Sequence, residues 1–197
     1  MFIVFEGIDG SGTTTQVRLL TEFLKQNYIP VIQTAEPTDG IIGKFIREVL
    51  SGRKKVSPRA LQLLFFADRE DHLQRTILPA LNNRTTVLSD RYYVSSLAYA
   101  SLSERTDIFE KISEYFLDPD LTIFLNIPVE VALERIGKRS EQKEIFEKKE
   151  YLIQIAHSYR ARFKTIPSEK KLVLDGTKSI DEVFHIIKEK VVEKIKE

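Results

Sequence analysis

The chain has 197 residues and a net charge of +1, with 42% apolar and 30% charged residues. That is a soluble globular composition, long enough for one α/β domain with a real core and too evenly charged for a broad nucleic-acid or membrane footprint. With no cysteine, a disulfide framework and a thiolate zinc site are excluded, and no apolar run approaches the roughly 20 residues of a membrane span.

The first element is the apolar run FIVFE at 2–6. No basic leader precedes it, so a cytoplasmic location is expected. It runs into FEGIDGSGTTTQ, residues 5–16, in which Gly7 and Gly12 have the spacing of a phosphate-binding loop but Thr13 stands where the pattern has lysine. Gly7, Gly10 and Gly12 permit positive φ and a close approach to an oxyanion. Backbone amides through Ser11, Thr13 and Thr15, at the start of a helix expected over 13–27, form an anion cradle. Thr14 aligns with the hydroxyl that reaches Mg²⁺ in such loops. Thr13 offers an amide but no cation, so other basic groups must stabilise a transferring phosphoryl group.

A strand at 30–36 leads into TAEPTDG, where Pro37 stiffens the turn and Gly40 loosens it. Glu36 there is either a buried structural carboxylate or a site residue. Helices are expected near 40–51 and, as one long element begun by Pro58, over 58–81. On the latter, Phe65 and Arg69 share a face. A ring and a guanidinium side by side suit a planar base, although by pattern alone Phe65 reads as core beside Leu61, Leu63, Leu64 and Phe66.

The third strand, 85–90, ends in Asp90, which can hold Mg²⁺ directly or through water, and Arg91 follows with a fork suited to phosphate. The alternative is an Asp–Arg turn that only caps the helix expected at 93–101. On that helix Ser95, Ser96 and Tyr99 can line a small polar pocket. Next come a helix at 106–117, a strand at 121–127 and a helix at 128–137. ERIGKRSEQKEIFEKK, residues 134–149, holds six Lys/Arg against four Glu. It is either a mobile basic lid over the phosphates or a solvated charged helix face. A helix at 144–166, a strand at 171–176 and a helix at 179–196, capped by Ser179, complete the chain. His72, His157 and His185 share no motif and read as ordinary helix residues. The strands lack clean alternation, which suits a parallel sheet buried on both faces. The β/α alternation predicts a doubly wound α/β fold with its ligands at the carboxyl ends of the strands.

These stretches, together with LLFFADREDHLQRTILPAL, LSDRYYVSSLAYA, PDLTIFLNIPVEVALERI and LVLDGTKSIDEVF, resemble the thymidylate kinases, which are P-loop nucleoside-monophosphate kinases; the likeness covers nearly the whole chain in order. The resemblance implies one P-loop kinase domain over 1–197 with five parallel strands and a small helical lid at about 134–149. It implies transfer of the ATP γ-phosphoryl group to dTMP with Mg²⁺, giving dTDP for dTTP synthesis. It also implies a cytoplasmic homodimer whose partners are these small molecules, not nucleic acid or membrane. By resemblance, Asp9 lies near the deoxyribose 3′-hydroxyl, Phe65 stacks on thymine and Arg69 bonds its O4 edge. Arg91 holds the acceptor phosphate, Glu36 and Pro37 lie beneath it, and Ser95, Ser96 and Tyr99 complete the acceptor site. Asp9, Arg91 and Arg139 form the candidate catalytic group, Thr14 and Asp90 the metal site. Lys138, Arg139 and Lys143 are the lid cations expected to substitute for the lysine missing at Thr13, and Arg135 is expected to contact the donor nucleotide with them. Gly10, Ile145 and Ala100 also depart from the family pattern, where arginine, arginine and glutamine respectively are often found. The rival readings are another small-molecule P-loop kinase and a catalytically weak nucleotide-binding module.

Overall fold

Phe2–Glu6 (β1), Val31–Ala35 (β2), Thr86–Asp90 (β3), Leu121–Asn126 (β4) and Lys171–Asp175 (β5) form one all-parallel sheet in the order β2-β3-β1-β4-β5. This is seen in a computed structural model that describes residues 1–102, 107–139 and 145–196. The helices are Thr13–Gln26 (α1), Ile41–Leu50 (α2), Pro58–His72 (α3), Leu78–Asn82 (α4), Tyr93–Ala100 (α5), Asp107–Ser113 (α6), Val129–Arg139 (α7), Lys149–Thr165 (α8) and Ile180–Lys196 (α9). The doubly wound fold expected from the alternation is the fold observed. No helix among the described residues is long and apolar enough to cross a membrane.

Successive side chains of a strand point to opposite faces, and β1 supplies both halves of the core this way. Phe2 and Val4 pack with Leu73, Ile77 and Tyr92. Ile3 and Phe5 pack with Leu20 and Leu24 of α1 and Ile187 and Val191 of α9. A third cluster, around Phe124, Ile136, Tyr159 and Phe163, joins β4 to α7 and α8. Burial on both faces holds for β1, β3 and β4 but fails at β2 and β5, which are sheet edges with partly exposed residues such as Val173.

The element expected as one helix over 58–81 is interrupted by a single π-turn, Leu73–Ile77, before α4. Pro79 has no N–H and its ring crowds the carbonyl four residues back, so the ladder takes in an extra residue there. Leu63, read as core, is 43% exposed because it lies off the buried stripe of Leu61, Phe66 and Arg69. The helix expected from 144 begins at Lys149. Ile145 N–H donates to the Leu50 carbonyl at 3.2 Å, and Phe146 packs edge-on against Tyr99, so tertiary contacts hold this stretch out of the helix. The helix expected over 106–117 is regular only as far as Ser113. Ser179 caps α9 in a reciprocal box: its hydroxyl accepts from Glu182 N–H, and Glu182 Oε2 accepts from Ser179 N–H.

The parallel register sets Phe5 level with Asp90 on one side and with Ile123 on the other. The loops that leave β1 and β3 therefore emerge side by side at the carboxyl edge, where the strand order reverses around β1.

Candidate active site

The loop from Gly7 to Gly12 joins β1 to α1. Gly10 and Gly12 adopt φ of 80° and 98°, and a Cβ on Gly10 would stand 2.8 Å from the Ala132 carbonyl oxygen. An arginine at position 10 is therefore incompatible with this loop. No side chain caps the first turn of α1 and no acidic residue lies in it. Its amides stay available to an anion. Packing pays for that open end: Val17, Leu20 and Leu24 are fully buried at about 2 kcal/mol each, against about 1 kcal/mol for a missing cap. A cavity of about 550 Å³ runs along the loop, lined by Gly10, Ser11, Gly12, Thr13, Thr14 and Thr15 among others.

The register brings Asp90 to Thr14, whose hydroxyl donates to Asp90 Oδ2. Asp90 Oδ1 is buried and has no partner. An unsatisfied carboxylate oxygen beside a threonine hydroxyl, next to an anion cradle, fits Mg²⁺, which takes one or two protein oxygens and completes its shell with phosphate and water.

The cationic side chains lining this cavity among the described residues are Arg91, Arg135 and Lys178. Arg135 donates to the Gly10, Ser11 and Gly176 carbonyls at 3.3, 3.4 and 3.0 Å, so it braces the loop from outside. Lys138 instead points into solvent and pairs with Glu134 at 2.6 Å; its i,i+4 spacing on α7 makes that pair the local choice. The Arg139 side chain and Lys143 lie outside the described residues. Lys178, on the β5–α9 turn, went unnoticed in the sequence, where it is one lysine among many.

A second cavity, of about 250 Å³, opens on the other side of Arg91 and is lined by Pro37, Arg47, Phe65, Ser96, Tyr99 and Phe146 among others. Asp9 and Arg91 line both cavities. Arg91 Nη2 donates to Asp9 Oδ1 at 2.6 Å, and Nη1 donates to the Gly7 carbonyl at 2.9 Å. Asp9 Oδ2 accepts from the Tyr99 hydroxyl at 3.0 Å. The Arg91 backbone sits at φ 74°, a left-handed conformation that costs a non-glycine residue about 1–2 kcal/mol. Two bonds hold it there: Arg91 N–H donates to Phe5 O at 2.8 Å, and Arg91 O accepts from the Ser89 hydroxyl at 2.8 Å.

Glu36 is a buried carboxylate on the wall of the second cavity. It is 5% exposed and accepts from Arg69 Nη2 at 2.6 Å. Arg69, 1% exposed, also donates to the Ser96 hydroxyl at 2.8 Å, while its Nε and Nη1 have no partner. His72 is not an ordinary helix residue. Its buried ring bridges Glu36 Oε1 at 3.0 Å and the Thr34 hydroxyl at 2.6 Å. Arg47 was missed because its neighbours on α2 carry no motif; it bonds the Pro37 and Thr38 carbonyls and lines the cavity. Asp68 ties the same turn down, accepting from Thr38 N–H and Oγ1 at 2.7 and 2.6 Å. Ala100 faces away from the cavity, in a fully buried cluster with Phe66 and Phe109.

Glu6 was also missed. It is fully buried and accepts from Tyr92 N–H and Ser95 N–H, both at 3.1 Å, through Oε1. Burial pushes its carboxyl up to about 7 against the opposing pull of Ser95, Arg91 and Tyr159. A lone carboxylate in the apolar run FIVFE was the available signal, because a group in that position has to find buried partners.

The thymidylate kinase family profile matches residues 5–187. The chain belongs to the thymidylate kinase family. It is 43% identical over 201 residues to a probable thymidylate kinase of Methanococcus maripaludis, with 98% of this chain and 96% of the relative covered. A probable thymidylate kinase of Methanocaldococcus jannaschii is 41% identical, covering 95% and 93%, and a thymidylate kinase of Leptospira borgpetersenii is 38% identical, covering 93% and 89%. A member of the thymidylate kinase family is a phosphotransferase that uses ATP, and in this chain two cavities share one guanidinium.

Proposed function

We propose that this enzyme transfers the γ-phosphoryl group of ATP to dTMP, giving dTDP and ADP. The observation that carries the reading is that Arg91 and Asp9 line both cavities, so a donor on the phosphate loop and an acceptor beside Phe65 meet at one guanidinium. The α1 amides hold the donor phosphates. Thymine stacks on Phe65, and the unpartnered Arg69 Nη1 is a donor for its carbonyl edge. Arg47 and Arg91, the other two guanidiniums that line the second cavity among the described residues, serve as the acceptor-phosphate partners. Asp9 and Tyr99 face the sugar. A dTMP phosphate oxygen attacks the γ-phosphorus, the bond to the β-phosphate oxygen breaks, and ADP leaves. Orientation and charge neutralisation supply the catalysis. Thr14 and Asp90 would hold Mg²⁺, which supplies charge neutralisation at the β- and γ-phosphates when bound.

Arg91 and Lys178 provide the positive charge that Thr13 lacks, with Arg139 and Lys143 of the 134–149 lid added on closure. The single domain closes this lid over its substrates. It acts in the cytoplasm as a homodimer for which Leu63, exposed on α3, offers part of an apolar contact. An ADP-release assay across dTMP, dUMP, UMP, AMP and thymidine tests the reading. The expected result is highest turnover with dTMP and none with thymidine. Turnover with thymidine, or binding of dTMP without turnover, would replace it with one of the rival readings.

A further inference from the structure

We propose that Tyr159 is a positioning residue for Arg91, acting through a closed ring of three hydrogen-bonded oxygens that it forms with Ser95 and Glu6, in which Glu6 carries the third proton. The inference rests on the reading of Arg91 as the guanidinium shared by donor and acceptor phosphates.

The ring is on three different elements. Glu6 ends β1, Ser95 is on α5, and Tyr159 is on α8, the helix that follows the lid. The three oxygens are mutually close: Glu6 Oε2 to Ser95 Oγ 2.5 Å, Ser95 Oγ to Tyr159 Oη 2.6 Å, and Tyr159 Oη to Glu6 Oε2 3.0 Å. Three edges need three protons. The two hydroxyls supply one each. If Glu6 were ionised, the two hydroxyl protons would fill the two shortest edges only by leaving the 3.0 Å edge, between Tyr159 Oη and the Glu6 carboxylate, with two facing lone pairs and no proton between them in a buried site. With a proton on Glu6 Oε2, each ring oxygen donates once and accepts once. Ser95 Oγ and Tyr159 Oη then each keep one lone pair, and both face Arg91 Nη1, at 3.4 and 3.3 Å. The remaining oxygen of Glu6 is taken by two backbone amides.

The charges around the ring agree. Arg91 approaches from the β3–α5 turn with Asp9 on its far fork, and Tyr93 of α5 and Tyr159 of α8 are the other titratable groups acting on Glu6 or acted on by it. Burial raises both Glu6 and Tyr159, so Tyr159 keeps its proton at neutral pH and Glu6, at about 7, keeps its own on the acid side of neutrality. A neutral Glu6 leaves Asp9 as the carboxylate paired with Arg91, and the guanidinium keeps charge for phosphate. The ring thus seats Arg91 without neutralising it. It also ties that seat to α8, whose Tyr159 ring stacks on Phe124 at 5.5 Å.

The test measures kcat and KM for wild type, Tyr159→Phe, Glu6→Gln, Arg91→Ala and the Arg91→Ala/Tyr159→Phe double variant. Tyr159→Phe keeps the stacked ring and removes the hydroxyl. It is expected to lower kcat about tenfold or more with KM for ATP within about twofold. Glu6→Gln still places a proton on the ring atom and is expected to lose less than Tyr159→Phe. In the Arg91→Ala background, Tyr159→Phe is expected to cost under about twofold, because the group it positions is gone. Equal loss from Tyr159→Phe with and without Arg91 overturns the positioning role. A larger loss in Glu6→Gln than in Tyr159→Phe overturns the proton on Glu6. Infrared difference spectra of wild type against Glu6→Gln, at about pH 6, read that proton without any turnover; absence of a protonated-carboxyl band also overturns it. If wild type shows that band but does not phosphorylate dTMP, the ring stands as structure, its role on phosphate transfer is overturned, and the substrate reading fails separately.

Discussion

The two halves of the active site are built in opposite ways. The donor side centres on a main-chain surface: one six-residue loop and one helix terminus, with glycines at positive φ and no side chain closing the first turn of α1. Asp90, Arg91, Arg135 and Lys178 bring charge to it from other elements. The acceptor side is a side-chain surface, assembled from the loop after β1, the turns after β2 and β3, α2, α3, α5 and the segment before α8. A main-chain cradle is local, and the cation it lacks at Thr13 has to come from side chains elsewhere in the fold. A side-chain site depends on long-range packing and on buried ion pairs that brace the groups facing the substrate. Arg91 and Asp9 belong to both sides, so substitutions there test the join and substitutions elsewhere test the halves separately.

The largest effect is expected at the join. Arg91→Ala should lower turnover by about 10³-fold while KM for ATP changes by less than about tenfold, measured by coupled ADP release. Equal losses in both would mean that Arg91 serves the donor half alone. Within the acceptor half, Arg69→Met strands Glu36 beside His72 in a buried site and should destabilise the fold by about 3–5 kcal/mol in denaturant titration. In whatever remains folded, KM for dTMP should rise while KM for ATP holds. Loss of ATP affinity there would show that the two halves are not separable.

Glu6 gives a pH signature beneath the join. Its folded carboxyl titrates at about 7, above the 4.5 of an ordinary glutamate. The unfolded chain therefore ionises first as pH rises. The stability associated with the neutral group is fully present below about 4.5, falls between about 4.5 and 7, and is gone above, a change of about 3 kcal/mol. Glu6→Gln should flatten that part of the stability–pH curve. A wild-type curve already flat across the window would show Glu6 ionised in the folded state.

On the donor half, Gly10→Ala should cost about 1–3 kcal/mol of stability and weaken ATP more than dTMP, because its Cβ meets the Ala132 carbonyl at positive φ. The smallest effects separate two lysines. Lys178→Ala should raise KM for ATP several-fold, since Lys178 lines the loop cavity, whereas Lys138→Ala should change it by less than about twofold, since Lys138 pairs in solvent with Glu134. The reverse order would return the compensating charge to the lid.

The sequence by itself determined the parallel sheet, its central strands and the phosphate loop. These follow from local chemistry: apolar runs that must be buried, glycines that alone accept the loop's φ, and a helix that must start where they end. It also put Asp90, Arg91, Phe65 and Arg69 in view, because each sits at a strand end or shares a helix face with a partner. Only the tertiary structure decided that Arg47, Lys178 and Phe146 line the cavities, that Lys138 does not, and that His72 completes a buried pair with Glu36. It alone joined Glu6, Ser95 and Tyr159, which are up to 153 residues apart. The reason is that a polar side chain's partner is set by which elements pack together. A single chain read in order carries the demand for a partner, but not its address.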